Sequence, residues 1–226
     1  MPYILAILFI TLIFGPSLWV KYILKKYHRP LPNMPGTGGE LANHLLAQYK
    51  LEQVKVEKTE SGNDHYHPAE NTVRLSPEVY DGKSLSAVAV AAHEVGHALQ
   101  FNRKEPVSLL RDKYLGSAGK IKSIGVYILM FMPAIGAALH LPHISLLTIA
   151  IGIITMLASV SLYFAVLPEE WDASFNKALP ILEKGEYVPT EYLPAIRQVL
   201  KACALTYVAA ALADVLRVWQ WLRFIR

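Results

Sequence analysis

Two histidines and a glutamate interrupt the apolar stretch "AVAVAAHEVGHALQF" (Ala87–Phe101), where they form the pattern H-E-x-x-H at His93, Glu94 and His97. Residues four apart share a face of an α-helix, so both imidazoles reach one ion. Glu94 is turned about 100° from His93, beside the metal position rather than on it. A zinc ion held by imidazole nitrogens, with one position left for water, lowers that water's pKa towards about 7. Glu94 is then placed to take the proton as the water attacks a polarised carbonyl.

So short a pattern also arises by chance, and three local features set this one apart. The residues before it are Ala and Val on every helix face, so the helix is predicted to be buried, where His and Glu without partners are costly. Gly96 sits inside the helix, at a cost of about 1 kcal/mol relative to Ala, which the close approach of another backbone would explain. A strand-like "NTVRLS" (Asn71–Ser76) lies upstream, where a protease of this kind keeps the sheet that borders its cleft.

The elements that must position these groups can be read on either side. "TGGELANHLLAQY" opens with a capping box, Thr37 with Glu40, and continues with apolar residues at helical spacing. "EQVKVEK" and "NTVRLS" alternate as strands do, with "DHYHPAEN" between them as strand and turn. The histidine-bearing helix is expected from Ser84 to Phe101. Helix, strands and helix among well-mixed charges suit a small α+β domain.

Much of the rest is apolar: hydrophobic residues make up 53% of the 226 and charged residues only 18%, below the roughly 25% usual in soluble domains. Tyr3–Val20 carries no charge and is long enough to cross a bilayer. It is read as an uncleaved anchor, because no cleavage site follows and Lys21, Lys25, Lys26 and Arg29 do. Those cations place the N-terminus outside and the following chain in the cytoplasm. Ser123–Leu139 and Ile144–Leu167 are two uncharged runs joined by "HLPH" and are expected to form a transmembrane hairpin, with His140 and His143 as interfacial residues. "ACALTYVAAALADVLRVWQWL" is long enough for a fourth span, although Asp214 and Arg217 lie within it. The expected organisation is an anchor over 1–24, a catalytic region over 25–120, a hairpin over 121–167, a cytoplasmic segment over 168–201 and a fourth span over 202–226. The fold class is thus a multi-pass α-helical membrane protein with a small cytoplasmic α+β zincin-like domain.

Other chemistries find little support. The single cysteine, Cys203, excludes an internal disulfide and a Cys-rich zinc site. No Lys/Arg stripe interleaved with aromatics marks a nucleic-acid surface. Asp64, His65 and His67 lack a fourth ligand for a second metal site. An intramembrane protease would want a longer uncharged run before His93, and a cation transporter would want ionisable residues in several spans.

Two histidines do not complete a catalytic zinc site, and position 103, where a further histidine would extend the motif, is Arg. The third ligand is expected on the cytoplasmic side where the hairpin returns, at "LPEEWDASFNKAL". Spacing leaves Glu169, Glu170 and Asp172 open there.

Two stretches carry a likeness that covers most of the chain: "DHYHPAENTVRLSPEVYDGKSLSAVAVAAHEVGHALQ" (Asp64–Gln100) and "LPEEWDASFNKAL" (Leu167–Leu179). Together with the order of apolar segments, they resemble the YugP-like membrane zinc metallopeptidases of bacteria. The resemblance implies His93, His97 and Glu170 as ligands of one Zn2+ per chain, Glu94 as the base, and Glu169 as the alternative ligand. More distantly the second stretch resembles the Glu-x-x-Ala-Asp motif of gluzincin membrane proteases, matched by Glu170 and Ala173, with Ser174 in place of the aspartate. "DHYHP" stands where related proteases keep the strand that pairs with substrate backbone, which implies His65 and Tyr66 along the cleft. The expected function is a zinc metalloendopeptidase of the bacterial inner membrane, acting from the cytoplasmic side on membrane or membrane-proximal proteins. Its partners would be a protein or peptide substrate and the lipid bilayer. The alternative is a non-catalytic membrane scaffold with a structural zinc site; such sites usually close all four positions with protein ligands.

Overall fold

The computed structural model describes residues 2–213 apart from Leu139 and Leu141. The chain is mostly helical, with one small sheet. Its helices are α1 (Pro2–Lys26), α2 (Gly38–Gln48), α3 (Pro77–Tyr80), α4 (Leu85–Asn102), α5 (Gly116–Ala138), α6 (Pro142–Trp171), α7 (Leu179–Lys184) and α8 (Leu193–Ala204). The strands β1 (Lys55–Lys58), β2 (His65–His67) and β3 (Thr72–Leu75) lie in the order β1-β3-β2. β1 pairs parallel to β3 with Val56 opposite Val73, and β2 pairs antiparallel to β3 with Tyr66 opposite Val73.

The chain divides into two compact units. One comprises Trp19–Leu109 and Pro168–Thr206 and is built around α4. Every residue of α4 from Leu85 to Gln100 is buried, because α2, α8, the sheet and the segment Asp172–Ala178 all pack on it. A helix covered on all sides must be apolar all round, which is why Ala and Val fill its first turns. The Ser84 hydroxyl caps it by accepting from the Ala87 N–H. The Ser86 hydroxyl donates to the Leu24 carbonyl at 2.8 Å and ties in the end of α1. At the start of α2 the expected capping box is formed, with Thr37 and Glu40 each bonded to the other's backbone N–H.

The other unit comprises Met1–Leu18, Leu110–Leu167 and Tyr207–Arg226. There α5 is followed by α6, with His140 between them at φ 55°. The Ser159 hydroxyl of α6 donates to the Ala118 carbonyl of α5 at 3.0 Å. Among the described residues one helix, Ala150–Lys184, is long and apolar enough to cross a membrane. Thr190–Ala204 and Thr206–Ala213 pass the same test when taken together. The expected fourth span runs over 202–226, and its Asp214 and Arg217 lie outside the described residues.

Candidate metal centre

α4 presents His93 and His97 one turn apart, and their rings stand edge to face with centroids 4.6 Å apart. The third member comes from far along the chain. α6 carries Glu169 and Glu170 in its last turn and runs into a π-helical stretch, Asp172–Ala178. Such widened turns recur at functional sites. This stretch packs directly on α4 and α8. The contact with α4 explains Gly96: a Cβ there would lie 2.7 Å from the Ala173 carbonyl oxygen. The close backbone approach expected from the sequence is therefore present. Gly96→Ala gains about 1 kcal/mol of helix preference but overpacks against backbone, which costs about 1–3 kcal/mol. The rigid obstacle favours the larger figure, so a lower melting temperature and reduced zinc content are expected in thermal denaturation and metal analysis.

Three atoms meet at this contact. His93 Nε2 and His97 Nε2 are 3.2 Å apart, and Glu170 Oε2 lies 3.3 Å from each. Four-coordinate zinc binds such atoms at about 2.0–2.1 Å; at tetrahedral angles they then sit about 3.3–3.4 Å from one another. The triangle has the size the ion demands, and its donors are the imidazole and carboxylate types that zinc takes. The three residues are buried at 4%, 3% and 2% exposure, so little solvent competes for the position. Among the described residues this is the one group of three or more His, Cys, Asp or Glu side chains able to hold a metal ion. In donor type and spacing, His93, His97 and Glu170 fit a zinc ion.

The rival acids have other places. Glu169 is equally buried, but its Oε1 is 3.8 Å from His97 Nδ1, the far side of the ring from the triangle. Asp172 Oδ2 accepts from Gln100 Nε2 at 2.8 Å and pairs with Lys177 at 3.2 Å. Burial raises the Asp172 carboxyl, but hydrogen bonds from Gln100, Asn176 and Lys177 outweigh it and hold the group below the ordinary carboxylate range. Burial alone would lower the Lys177 ammonium, yet Glu105 and Asp172 raise it. Glu94 is buried in α4 outside the triangle.

His65 and Tyr66 lie in β2, an edge strand of the sheet. His65 is half-buried, with its Nδ1 2.8 Å from the Asn63 carbonyl. Tyr66 turns inward against Phe101, and its hydroxyl donates to Asn71 Oδ1 at 2.7 Å. Neither belongs to the triangle. Two residues not assigned from the sequence touch the histidines: Gln100 Oε1 is 3.0 Å from His97 Nδ1, and Ser174 Oγ is 3.0 Å from His93 Nδ1. Their spacing was the available signal. Gln100 follows His97 by three residues and Ser174 follows Glu170 by four, so each shares a helix face with a candidate ligand.

Comparison with known proteins points to zinc at the level of the family. The model of a family described as "Putative neutral zinc metallopeptidase" matches residues 2–226. The "Putative membrane protease YugP" of Bacillus subtilis (strain 168) is 34% identical over 216 residues, covering 93% of this chain and 91% of that protein. No solved structure matches the chain. With a family match across the whole described chain and a relative this similar along nearly its full length, the chain belongs to the YugP-like zinc metallopeptidase family.

Proposed function

We propose that this chain is a membrane-bound zinc metalloendopeptidase that hydrolyses peptide bonds of membrane or membrane-proximal proteins. The observation that carries the reading is a buried triangle of three protein ligands with no fourth among the described residues. Structural zinc sites usually close all four positions with protein, whereas catalytic ones keep one open. That favours the peptidase over a scaffold with structural zinc.

His93, His97 and Glu170 would hold one zinc per chain. When bound, the ion supplies Lewis acidity that polarises the scissile carbonyl and makes water a nucleophile near neutral pH. Glu94 takes a proton from the attacking water as the new C–O bond forms. It then returns that proton to the leaving amine as the C–N bond breaks. An extended peptide suits the edge strand β2 by strand addition, with His65 and Tyr66 in the strand beside it. The apolar runs and the relative's description as a membrane protease support a bilayer location. The orientation follows from the cations after Val20: N-terminus outside and the centre facing the cytoplasm of a bacterial inner membrane.

The test is metal analysis of the purified full chain with a casein-cleavage assay on the same sample. One zinc per chain is expected, with cleavage abolished by a strong chelator and restored by zinc. Bound zinc without cleavage would move the conclusion to the scaffold; no bound metal, with loss during purification excluded, would overturn both.

A further inference from the structure

The atoms behind the triangle settle a question that the triangle leaves open: which nitrogen of each ring carries the proton. An imidazole binds a metal through a lone pair, so Nε2 is useful only if the proton sits on Nδ1. Tautomers follow from hydrogen-bond partners whose own roles are unambiguous. Both histidines have such a partner.

Behind His93, the Ser174 hydroxyl lies 3.0 Å from Nδ1 and 3.0 Å from the Leu200 carbonyl oxygen. A hydroxyl has one proton, and a carbonyl only accepts. If that proton pointed at the ring, two oxygens would face each other at 3.0 Å with no hydrogen between them. The hydroxyl therefore donates to Leu200 and accepts from His93 Nδ1–H.

Behind His97, Gln100 Oε1 lies 3.0 Å from Nδ1, while its Nε2 lies 2.9 Å from the Glu169 carbonyl oxygen and 2.8 Å from Asp172 Oδ2. Turning the amide over would set its oxygen against both of those acceptors. The amide is locked, and its oxygen accepts from His97 Nδ1–H. Ser174 and Gln100 are each 0% exposed, so water offers no ready alternative partner.

We propose that Ser174 and Gln100 are positioning residues, an uncharged pair that holds both rings in the Nδ1–H tautomer with both Nε2 lone pairs turned to one point. Ser174 does so where a related motif has aspartate, without adding a negative charge. A carboxylate in that role raises the basicity of the metal-bound ring; at His93 a hydroxyl orients the ring without that charge, whereas beside His97 the Glu169 carboxylate stands 3.8 Å from the Nδ1 that Gln100 holds. The Nδ1–H on each ring follows from these partners alone, but that both Nε2 atoms are bare rests on the zinc reading, since without a cation they and Glu170 Oε2 would face one another with no hydrogen between them.

The experiment uses the full chain with 15N-labelled histidine, recorded metal-free and zinc-loaded, together with zinc affinity measured by competition against a chelator. Proton–nitrogen correlation spectra are expected to show Nδ1–H on His93 and His97 in both forms. Ser174→Ala and Gln100→Ala are expected to weaken zinc binding by about 10–100-fold, the range seen when outer partners of metal ligands are removed. Ser174→Thr, which keeps the hydroxyl, is expected to retain wild-type affinity. An Nε2–H, Nδ1-bare ring in the wild type, or undiminished zinc affinity in Ser174→Ala, would overturn the proposal. If Ser174→Ala does not fold, the wild-type tautomers and Gln100→Ala decide. Locked tautomers in a protein that cleaves nothing would sink the peptidase and leave this pair standing; zinc-dependent cleavage with the opposite tautomers would do the reverse.

Discussion

Glu94→Gln is expected to lower casein cleavage by about 10²–10⁴-fold, the usual contribution of a positioned general base, while the protein still carries one zinc per chain. The separation follows from where Glu94 sits. It follows His93 directly on α4, is 6% exposed, and lies outside the three-atom triangle. A carboxamide keeps the size and hydrogen-bonding reach of the side chain but does not take up a proton at neutral pH. Folding and metal binding should therefore survive the loss of proton transfer. Cleavage rate, zinc content and melting temperature measured on one preparation check this. Undiminished cleavage would move the base elsewhere, with buried Glu169 the next to test. Loss of zinc would make Glu94 a ligand and undo the division of roles.

The centre was legible in the sequence wherever chemistry is local. Ser84 as a cap, Ala and Val through the first turns, and two histidines four apart are properties of one helix, and α4 follows them closely. Thr37 with Glu40 is equally local, and its capping box is formed. What the sequence left open depends on how distant segments meet. Spacing does not separate Glu169 from Glu170, since both are buried beside α4. Only packing shows that one carboxylate faces both Nε2 atoms and the other the Nδ1 side of His97. Asp172 is open as a third ligand by spacing alone, yet it anchors the Gln100 amide. Ser174 looked like a missing aspartate because the motif names a residue type, whereas the ring needs only an acceptor. The strand order β1-β3-β2 also rests on a parallel pairing across an intervening strand, a contact that alternation in each segment does not encode.

Glu170→Gln is expected to remove zinc, and Glu169→Gln to keep it. Glu170 Oε2 is 3.3 Å from both Nε2 atoms, so in the proposed site its loss would take away one of three ligand atoms and the negative charge that would face the ion. The drop in affinity should exceed the roughly 10–100-fold typical of an outer partner. Glu169→Gln changes a side chain on the other side of the ring while its backbone carbonyl still accepts from Gln100. Stability should move differently from binding. Without a cation, a carboxylate and two imidazole nitrogens converge in a site shielded from water, where burying charge is costly. A neutral amide at 170 can donate to a ring nitrogen instead. Metal-free Glu170→Gln is therefore expected to melt no lower than metal-free wild type, while zinc raises the melting temperature of the wild type alone. Because ion binding stabilises the state that binds it, the two melting curves measured with and without zinc separate a lost ligand from a damaged fold. If Glu170→Gln instead gains as much from zinc as the wild type does, the third ligand is another residue, and the triangle is a packing contact between a buried glutamate and two histidines.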